Sequence, residues 1–153
     1  MTVRVVTDST CDLPPALAAA HGIEVIPVYI SVGERGYLDG VDLTRTEFYA
    51  RLPAYDPPPT TASPGPEPFR QTYATLAADG ADEVISIHVA ANLSTVCNVA
   101  TAAASTPTKT DTSLPLTALA STSRPMRSAP SGSVGALATS AVRSRAARSA
   151  HSW

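Results

Sequence analysis

Three polar segments of the chain could take part in chemistry, and each stands next to an apolar stretch. Val6-Thr-Asp-Ser-Thr10 ends a β-branched run, and Pro59-Thr-Thr-Ala-Ser-Pro64 is a hydroxyl-rich turn before a helical pattern. His88-Val-Ala-Ala-Asn-Leu-Ser94 leads from a strand pattern into a helical one. Hydroxyl groups without a neighbouring Lys or Arg suit recognition of a carboxylate better than catalysis, because they hydrogen-bond an anion without surrounding it with positive charge.

The first segment lies where ligands of α/β proteins are usually bound. In a parallel sheet, ligands bind outside the carboxyl ends of the strands, and Asp8, Ser9 and Thr10 follow directly after an apolar strand pattern. A plainer interpretation is equally consistent with these residues: Asp8 and Ser9 turn the chain and cap a helix.

The other two segments each combine a hydroxyl group with the start of a helix. Thr60 and Thr61 belong either to a binding loop or to an ordinary turn with capping hydroxyls. Ser94 is either a plain N-cap or part of an anion site, since the free N–H groups and the dipole of a helix N-terminus both favour negative charge. His88 by itself is more often packed or hydrogen-bonded in a core than catalytic.

Signatures of enzymes and of cofactor sites are scarce. The sequence has no G-x-G-x-x-G after the first strand pattern, no P-loop, no nucleophile elbow and no metal-ligand spacing. The N-terminus lacks a signal-peptide pattern, and no run approaches the roughly 18 apolar residues of a membrane helix. Two cysteines, Cys11 and Cys97, are too few for a disulfide scaffold. We therefore expect a cytoplasmic binding protein that is not an enzyme, with no cofactor, no metal and no transmembrane segment.

Strand and helix patterns alternate over residues 1–104. Short apolar runs predict strands, and runs of helix formers with capping residues and terminal glycines predict helices between them. The predicted strands are Thr2–Thr7, Ile23–Val32 and Glu83–Val89, and the predicted helices are Leu13–Ala20 with Asp12 as its cap, Arg45–Leu52 after the capping box Thr44–Glu47, Glu67–Ala78, and a helix from Ser94 to Ala104. This alternation predicts an α/β fold, a mostly parallel sheet with flanking helices.

Residues 105–153 have a different composition. They contain no Ile, Phe or Tyr, and 11 of the 49 are Ser. Residues 1–104 carry 5 Arg and 12 Asp or Glu, a net charge of −7, whereas residues 105–153 carry 6 Lys or Arg and 1 Asp, a net charge of +5. Such a segment buries too little apolar surface to offset the entropy of ordering it, so we expect a low-complexity, disordered tail, with a helix conceivable only around residues 135–148.

Short motifs spread along the first hundred residues resemble the DegV family. They occur in the family's order, and this collinearity makes the resemblance specific although each piece is short. The matching motifs are Val6-Thr-Asp-Ser-Thr-Cys-Asp-Leu-Pro14, Ile26-Pro-Val-Tyr29, Tyr37-Leu-Asp-Gly-Val-Asp42, Glu47-Phe-Tyr49, Pro59-Thr-Thr61 and Ile85-Ser-Ile-His88.

The resemblance implies a lipid-binding role. Family members bind a long-chain fatty acid between two α/β domains and present its carboxylate to a partner fatty acid kinase. The hydroxyls that hold the carboxylate in the family correspond to Thr61 and Ser94 here, with Asp8, Ser9, Thr10, Thr60 and His88 as possible pocket-lining residues.

The chain also departs from the family. The family's Leu-Ser-Gly-Thr segment reads Leu93-Ser-Thr-Val here, without the glycine, so the approach of the backbone to the carboxylate is expected to differ. The resemblance stops after Ala104, so we expect the family's second domain to be missing. The tail has the composition of a GC-rich gene read out of frame. We therefore expect a truncated chain with impaired lipid binding.

Three alternatives stay open at this point, and the simplest is that the chain binds nothing. The tail could instead be a genuine basic segment that contacts nucleic acid or membrane, although a frameshift is favoured and no nucleic-acid partner is expected. The domain could be a small α/β enzyme acting on a phosphorylated substrate, with Asp8 at the strand end as acid, base or metal ligand.

Overall fold

In the part of the chain that the structure describes, the main sheet contains five strands. The computed structural model describes residues 1–105, 117–119 and 139–145. The strands of the main sheet are β1 (Val3–Asp8), β2 (Ile23–Ile26), β6 (Glu83–Val89), β7 (Thr117–Leu119) and β8 (Thr139–Arg145), in the spatial order β2-β1-β6-β8-β7. A smaller sheet contains β3 (Tyr29–Val32), β4 (Arg35–Leu38) and β5 (Thr60–Ala62), in the order β4-β3-β5.

The three strands predicted to form a parallel sheet do so. β1 pairs in parallel with β2 on one side and with β6 on the other. The registers run from Val5 opposite Ile23 to Asp8 opposite Ile26, and from Val3 opposite Glu83 to Thr7 opposite Ile87. The carboxyl ends of all three strands therefore meet at one edge of the sheet, which confirms the predicted α/β architecture.

The predicted strand Ile23–Val32 is in fact two strands in two different sheets. β2 ends at Ile26, and the chain re-forms a strand only at Tyr29. Pro27 lies at the break, where its missing N–H group prevents it from continuing a strand ladder. β3 then pairs antiparallel with β4 and with β5, so the smaller sheet branches off from the carboxyl edge of the main sheet.

Among the described residues, four α-helices lie between these strands: α1 (Pro15–Ala20), α2 (Arg45–Arg51), α3 (Pro66–Ala78) and α4 (Val96–Ser105). The capping box at the start of α2 is confirmed, since the Thr44 hydroxyl accepts from the Glu47 N–H and the Glu47 carboxylate accepts from the Thr44 N–H. The prediction that Asp12 caps α1 is wrong. Asp12 has a left-handed backbone with φ of 56° and ends a 3-10 turn, and Pro14 stands at the N-cap.

The hydrophobic core fills the space between the parallel strands and the helices α3 and α4. It contains Phe69, Tyr73 and Leu76 from α3, together with strand residues such as Val6 and Val84. Alanines at helical spacing on α4, from Ala100 to Ala104, let this helix approach closely. The core therefore packs directly against the strands whose carboxyl ends carry Asp8 and His88.

Two parts of the tail belong to the main sheet. β8 pairs antiparallel with β6 along its whole length, from Glu83 opposite Arg145 to Val89 opposite Thr139, and β7 pairs with β8. These ten residues are paired in a sheet, whereas we expected a disordered tail. Residues 139–145 form a strand in the region where a helix was conceivable. Residues of any type carry backbone N–H and C=O groups that can pair in a sheet. The amino-acid composition of the tail therefore does not predict this pairing. The rest of the tail lies outside the described residues.

The helices in the described part of the chain are short. None of them combines the length and the apolar character that crossing a bilayer requires.

Candidate functional site

Five of the seven predicted site residues lie at the carboxyl edge of the parallel strands. Asp8 is the last residue of β1, and Ser9 and Thr10 form the 3-10 turn that follows it. His88 is the next-to-last residue of β6, and Ser94 lies in the segment between β6 and α4. The topology thus collects the first and third polar segments at the edge where α/β proteins bind their ligands.

Asp8 and His88 meet in the interior, 80 residues apart in sequence. The Nδ1 atom of His88 lies 2.6 Å from the Oδ2 atom of Asp8. The two residues are 1% and 2% exposed, respectively. The ring of Phe69 meets the imidazole edge-on, with 5.5 Å between the ring centroids. His88 is therefore packed and hydrogen-bonded, as expected, and it does not stand open to solvent in this chain.

The hydrogen-bond chain continues from His88 into the core. The Nε2 atom of His88 lies 2.8 Å from the Ser86 hydroxyl, which in turn lies 2.9 Å from the hydroxyl of Tyr73. With the His88 proton on Nδ1, Tyr73 donates to Ser86, Ser86 donates to Nε2, and Nδ1–H donates to Asp8. Each of these groups is then satisfied, which a buried polar network requires.

Sequence reasoning missed Ser86 and Tyr73. A signal for Ser86 was present, because Ser86 and His88 are two residues apart in a strand and so point to the same face. Two polar side chains on one face of an otherwise apolar strand indicate a buried hydrogen-bonded pair. No local pattern indicates Tyr73, which reaches Ser86 from α3.

Ser86, His88 and Asp8 have the connectivity of a hydrolase triad, but the arrangement is not suited to nucleophilic attack. Ser86 is 1% exposed, and its hydroxyl is shared between His88 and Tyr73. A nucleophile needs access to a substrate carbonyl. The geometry therefore favours a structural role for this network.

Burial and hydrogen bonding shift two pKa values in the network. Burial by itself opposes ionisation of Asp8, but hydrogen bonds from His88 and Thr10 outweigh it, so the pKa of Asp8 is lowered. Burial raises the pKa of Tyr73 to about 12, although its hydrogen bond with Ser86 acts in the opposite direction. Asp8 is thus ionised and Tyr73 neutral near neutral pH.

Ser9 and Thr10 are held in different ways. Ser9 is buried, and its hydroxyl accepts a hydrogen bond of 3.1 Å from the Val28 N–H. Thr10 is exposed, but its N–H and hydroxyl groups both donate to Asp8 Oδ1. The plainer interpretation of Asp8 is therefore confirmed in part, because this side chain shapes the turn after β1.

Thr60 and Thr61 lie in β5, where a loop was predicted. Both are exposed, and Thr61 is paired with Ile30 of β3. Within the described part of the chain, neither side chain makes a hydrogen bond. Their hydroxyl groups are thus open to a ligand, on a strand whose position is set by backbone pairing.

Ser94 lies two residues before α4 and is half-buried. Its hydroxyl oxygen accepts from the Val96 N–H at 3.3 Å. A hydroxyl that accepts through its oxygen still has its own proton to donate, so Ser94 can cap the helix and bind an anion together. Thr95 stands where the family has glycine. Its φ is not positive, since Asp12 is the one non-glycine residue with positive φ in the described part.

Arg45 is a further residue of this edge that sequence reasoning did not single out. Its guanidinium donates to the Ser9 carbonyl and forms ion pairs with Asp39, at 3.3 Å, and with Asp12. The positive charge is thus matched by two carboxylates.

A cavity of about 330 Å³ lies elsewhere, between β2 and the face of α3 from Pro68 to Asp79, and neither Thr61 nor Ser94 lines it.

Comparison with known proteins decides the family. The model of a family described as "Uncharacterised protein, DegV family" matches residues 2–121. The chain belongs to the DegV family. The match continues past residue 104, where the sequence resemblance was expected to stop.

The chain has none of the groups of three or more His, Cys, Asp or Glu that could hold a metal ion, as far as the described residues go.

Curated DegV relatives align with about two thirds of the chain. A DegV domain-containing protein from Clostridium perfringens is 38% identical over 92 residues, covering 60% of this chain and 33% of the relative. Another from Streptomyces coelicolor is 37% identical over 102 residues, covering 67% and 36%. The chain thus spans about a third of the length of the curated relatives it matches.

Solved structures of DegV proteins share the fold. A fatty-acid-binding DegV family protein from Thermus thermophilus gives a TM-score of 0.59 at 36% identity, covering 68% of this chain and 37% of that one. DegV from Bacillus subtilis, a fatty acid binding protein, gives 0.63 at 32% identity, covering 69% and 37%. A stearic-acid-binding protein from Eubacterium ventriosum gives 0.62 at 30% identity, covering 67% and 35%.

Proposed function

We propose that this chain binds the carboxylate of a long-chain fatty acid through the hydroxyls of Thr61 and Ser94. The observation that carries the proposal is the state of these two hydroxyls. Thr61 is exposed and makes no side-chain hydrogen bond in the described part, and Ser94 retains a proton to donate. Solved relatives of this fold bind fatty acids, including stearic acid.

The electrostatic surroundings support a weakly held carboxylate. Ser94 stands just before the N-terminus of α4, where unpaired N–H groups and the helix dipole attract an anion. Arg45 belongs to the same edge, but Asp39 and Asp12 offset its charge. A site of neutral donors releases its ligand more readily than one lined by free cations, as a protein that hands over a substrate requires.

We further propose that the 153-residue chain supplies one side of the acyl-binding site and binds fatty acid weakly. Each methylene removed from water contributes about 0.8 kcal/mol, so affinity depends on how much of the acyl chain is enclosed. Leu93, next to Ser94, is 64% exposed in the described structure. The relatives are about three times longer than the part that aligns here.

The proposed role in the cell is that of a non-catalytic lipid-binding subunit. A carboxylate held at the edge of the sheet by two hydroxyls is accessible for phosphoryl transfer, and a cytoplasmic fatty acid kinase is the proposed partner. Pull-down of this chain with a purified kinase of that class tests the partnership separately from lipid binding.

The alternative, a small enzyme with Asp8 as acid, base or metal ligand, has less support from the geometry. Both carboxylate oxygens of Asp8 are engaged, one by His88 and the other by Thr10. The residue is also 1% exposed. A phosphorylated substrate would have to break the buried hydrogen bonds of this carboxylate to reach it, and leaving buried donors unpaired costs about 1–3 kcal/mol each.

We retain as a proposal that a domain boundary and a change of reading frame lie near residue 105. The composition of the tail supports it, whereas the pairing of β8 with β6 and the family match up to residue 121 count against a boundary at that point. The nucleotide sequence around codon 105 tests it directly. A one-base shift that restores family-like sequence is the expected result, and an uninterrupted frame would refute it.

Carboxylate binding is tested by nuclear magnetic resonance of the isotope-labelled chain during titration with decanoate. We expect the amides of Thr61 and Ser94 to shift. Thr61→Ala and Ser94→Ala should each weaken binding by about 0.5–1.5 kcal/mol, the net value of one hydrogen bond in water. Thr46→Ala, an exposed hydroxyl of α2, is the control and should leave binding unchanged.

Two results would count against the proposal. Decanoate that shifts no amide near Thr61 or Ser94 would remove the site. If Ser94→Ala lowers the melting temperature of the ligand-free chain as well as its affinity for decanoate, this hydroxyl only caps α4.

A parallel titration with a fluorescent long-chain fatty acid, using the Thermus thermophilus protein as the reference, tests the one-sided site. Comparable affinity of the two proteins would show that this chain already encloses the acyl chain.

A further inference from the structure

The Asp8–His88 pair lies just beyond the end of a strand ladder. The pairing of β1 with β6 ends at Thr7 opposite Ile87, where the Thr7 hydroxyl also donates to the Ile87 carbonyl at 2.8 Å. Asp8 and His88 are the next residues of the two strands. Their side chains, 2.6 Å apart, thus join the strands at the point where backbone pairing stops.

From Asp8, a series of hydrogen bonds leads to Thr61. The carboxylate fixes the turn after β1 by accepting from the Thr10 N–H at 3.0 Å. Ser9, within the same turn, accepts from the Val28 N–H at 3.1 Å and so places the start of β3. β3 pairs with β5, which contains Thr61. The position of Thr61 therefore depends on the turn that Asp8 holds.

From His88, a shorter path leads to Ser94. Two residues after His88, the Ala90 carbonyl accepts from the Leu93 N–H at 2.8 Å and from the Ser94 N–H at 3.1 Å. This turn brings the chain from the end of β6 back to the start of α4. The position of Ser94 therefore depends on where β6 ends.

We propose that Asp8 and His88 are a positioning pair that sets the spacing of the Thr61 and Ser94 hydroxyls. This inference rests on the proposed carboxylate site. Asp8 and His88 are both buried, so they act on that site through the backbone that they hold and not by contact with the ligand. Binding groups hold a ligand well only when packing and hydrogen bonds behind them fix their geometry. Ser86 and Phe69 fix the His88 ring from its other sides.

Two substitutions of His88 separate positioning from ordinary stability. The amide nitrogen of asparagine occupies nearly the place of Nδ1, so His88→Asn can still donate to Asp8. The amide of glutamine reaches the place of Nε2, so His88→Gln keeps a partner in Ser86 and loses Asp8. Both variants lose the ring that packs on Phe69 and are destabilised by that loss, and His88→Gln loses the hydrogen bond to Asp8 as well.

The experiment measures decanoate binding by amide shifts in both variants and in the unchanged chain, with a stabilising osmolyte to keep all three folded. We expect the dissociation constant to rise about fivefold in His88→Gln and to stay within about twofold in His88→Asn. Equal weakening in the two variants would overturn the proposal, because a merely structural role predicts it. Unchanged affinity in His88→Gln would overturn it as well.

Spectra without ligand keep this test independent of the proposed function. His88→Gln should move the amide signals of Thr61, Val28 and Ser94, and His88→Asn should leave them close to their original positions. If decanoate does not bind the unchanged chain, the carboxylate site fails, and these spectra still decide the positioning role. If decanoate binds and the three amides do not move in His88→Gln, only the positioning role fails.

Discussion

The substitution Asp8→Asn tests how the buried network contributes to stability. Asparagine has the shape of aspartate, and its carbonyl oxygen can still accept from Thr10. Its amide N–H groups, however, face the Nδ1–H of His88, so two donors meet unless the imidazole changes tautomer. In that case Nε2–H donates to Ser86, Ser86 donates to Tyr73, and the Tyr73 proton has no acceptor in the described part of the core.

The expected loss near neutral pH follows from the bond that is removed. The His88–Asp8 contact, at 2.6 Å, joins a donor to an ionised acceptor in a buried place. Hydrogen bonds to charged groups contribute about 1.5–3 kcal/mol, so Asp8→Asn should lower the free energy of unfolding by about that amount.

The loss should also depend on pH. The pKa of Asp8 is lower in the folded chain than in the unfolded chain. At pH values between these two pKa values, the unfolded chain binds more protons than the folded chain, so the free energy of unfolding rises with pH. The contribution is complete above the unfolded pKa of about 3.9 and is lost as the pH falls through the folded pKa. The difference between the original chain and Asp8→Asn should therefore shrink in acid.

Urea unfolding followed by circular dichroism at about pH 7 and about pH 3 measures both effects. Asp79→Asn removes one exposed carboxylate and controls for the change in net charge. A difference between the original chain and Asp8→Asn that stays constant across this pH range would refute the account of Asp8. Imidazole nitrogen shifts of His88 show in the same samples whether the tautomer has changed.

Two further predictions concern the core and the sheet. Phe69→Ala should lower the free energy of unfolding by about 3–5 kcal/mol, because the ring is fully buried against His88 and Tyr73; a chemical denaturation curve close to that of the original chain would contradict this packing. Amide hydrogen exchange should be slow in β8, which pairs with β6 over residues 139–145, and exchange at the unprotected rate throughout this strand would contradict the pairing.

Local patterns predicted those parts of the fold that depend on neighbouring residues. The capping box Thr44–Glu47, the strand Glu83–Val89 and the helix before Gly80 follow from residue types within a few positions of one another, and the structure confirms them. The family motifs also lie in short segments, which is why family membership was predictable. The parallel pairing of β1 with β6 in the structure then places Asp8 and His88 at one edge of the sheet.

Tertiary structure alone decided what those residues contact. Asp8 and His88 are 80 residues apart, and Tyr73 and Ser86 come from a helix and a strand on opposite sides of the core interface. Composition predicted disorder for the tail, with a helix conceivable only around residues 135–148, yet β8 is a strand held by backbone pairing with β6, which composition does not encode. Likewise, Pro27 divides one apolar run between two sheets: β2 pairs with β1 of the main sheet, whereas β3 pairs with β4 and β5 of the smaller one.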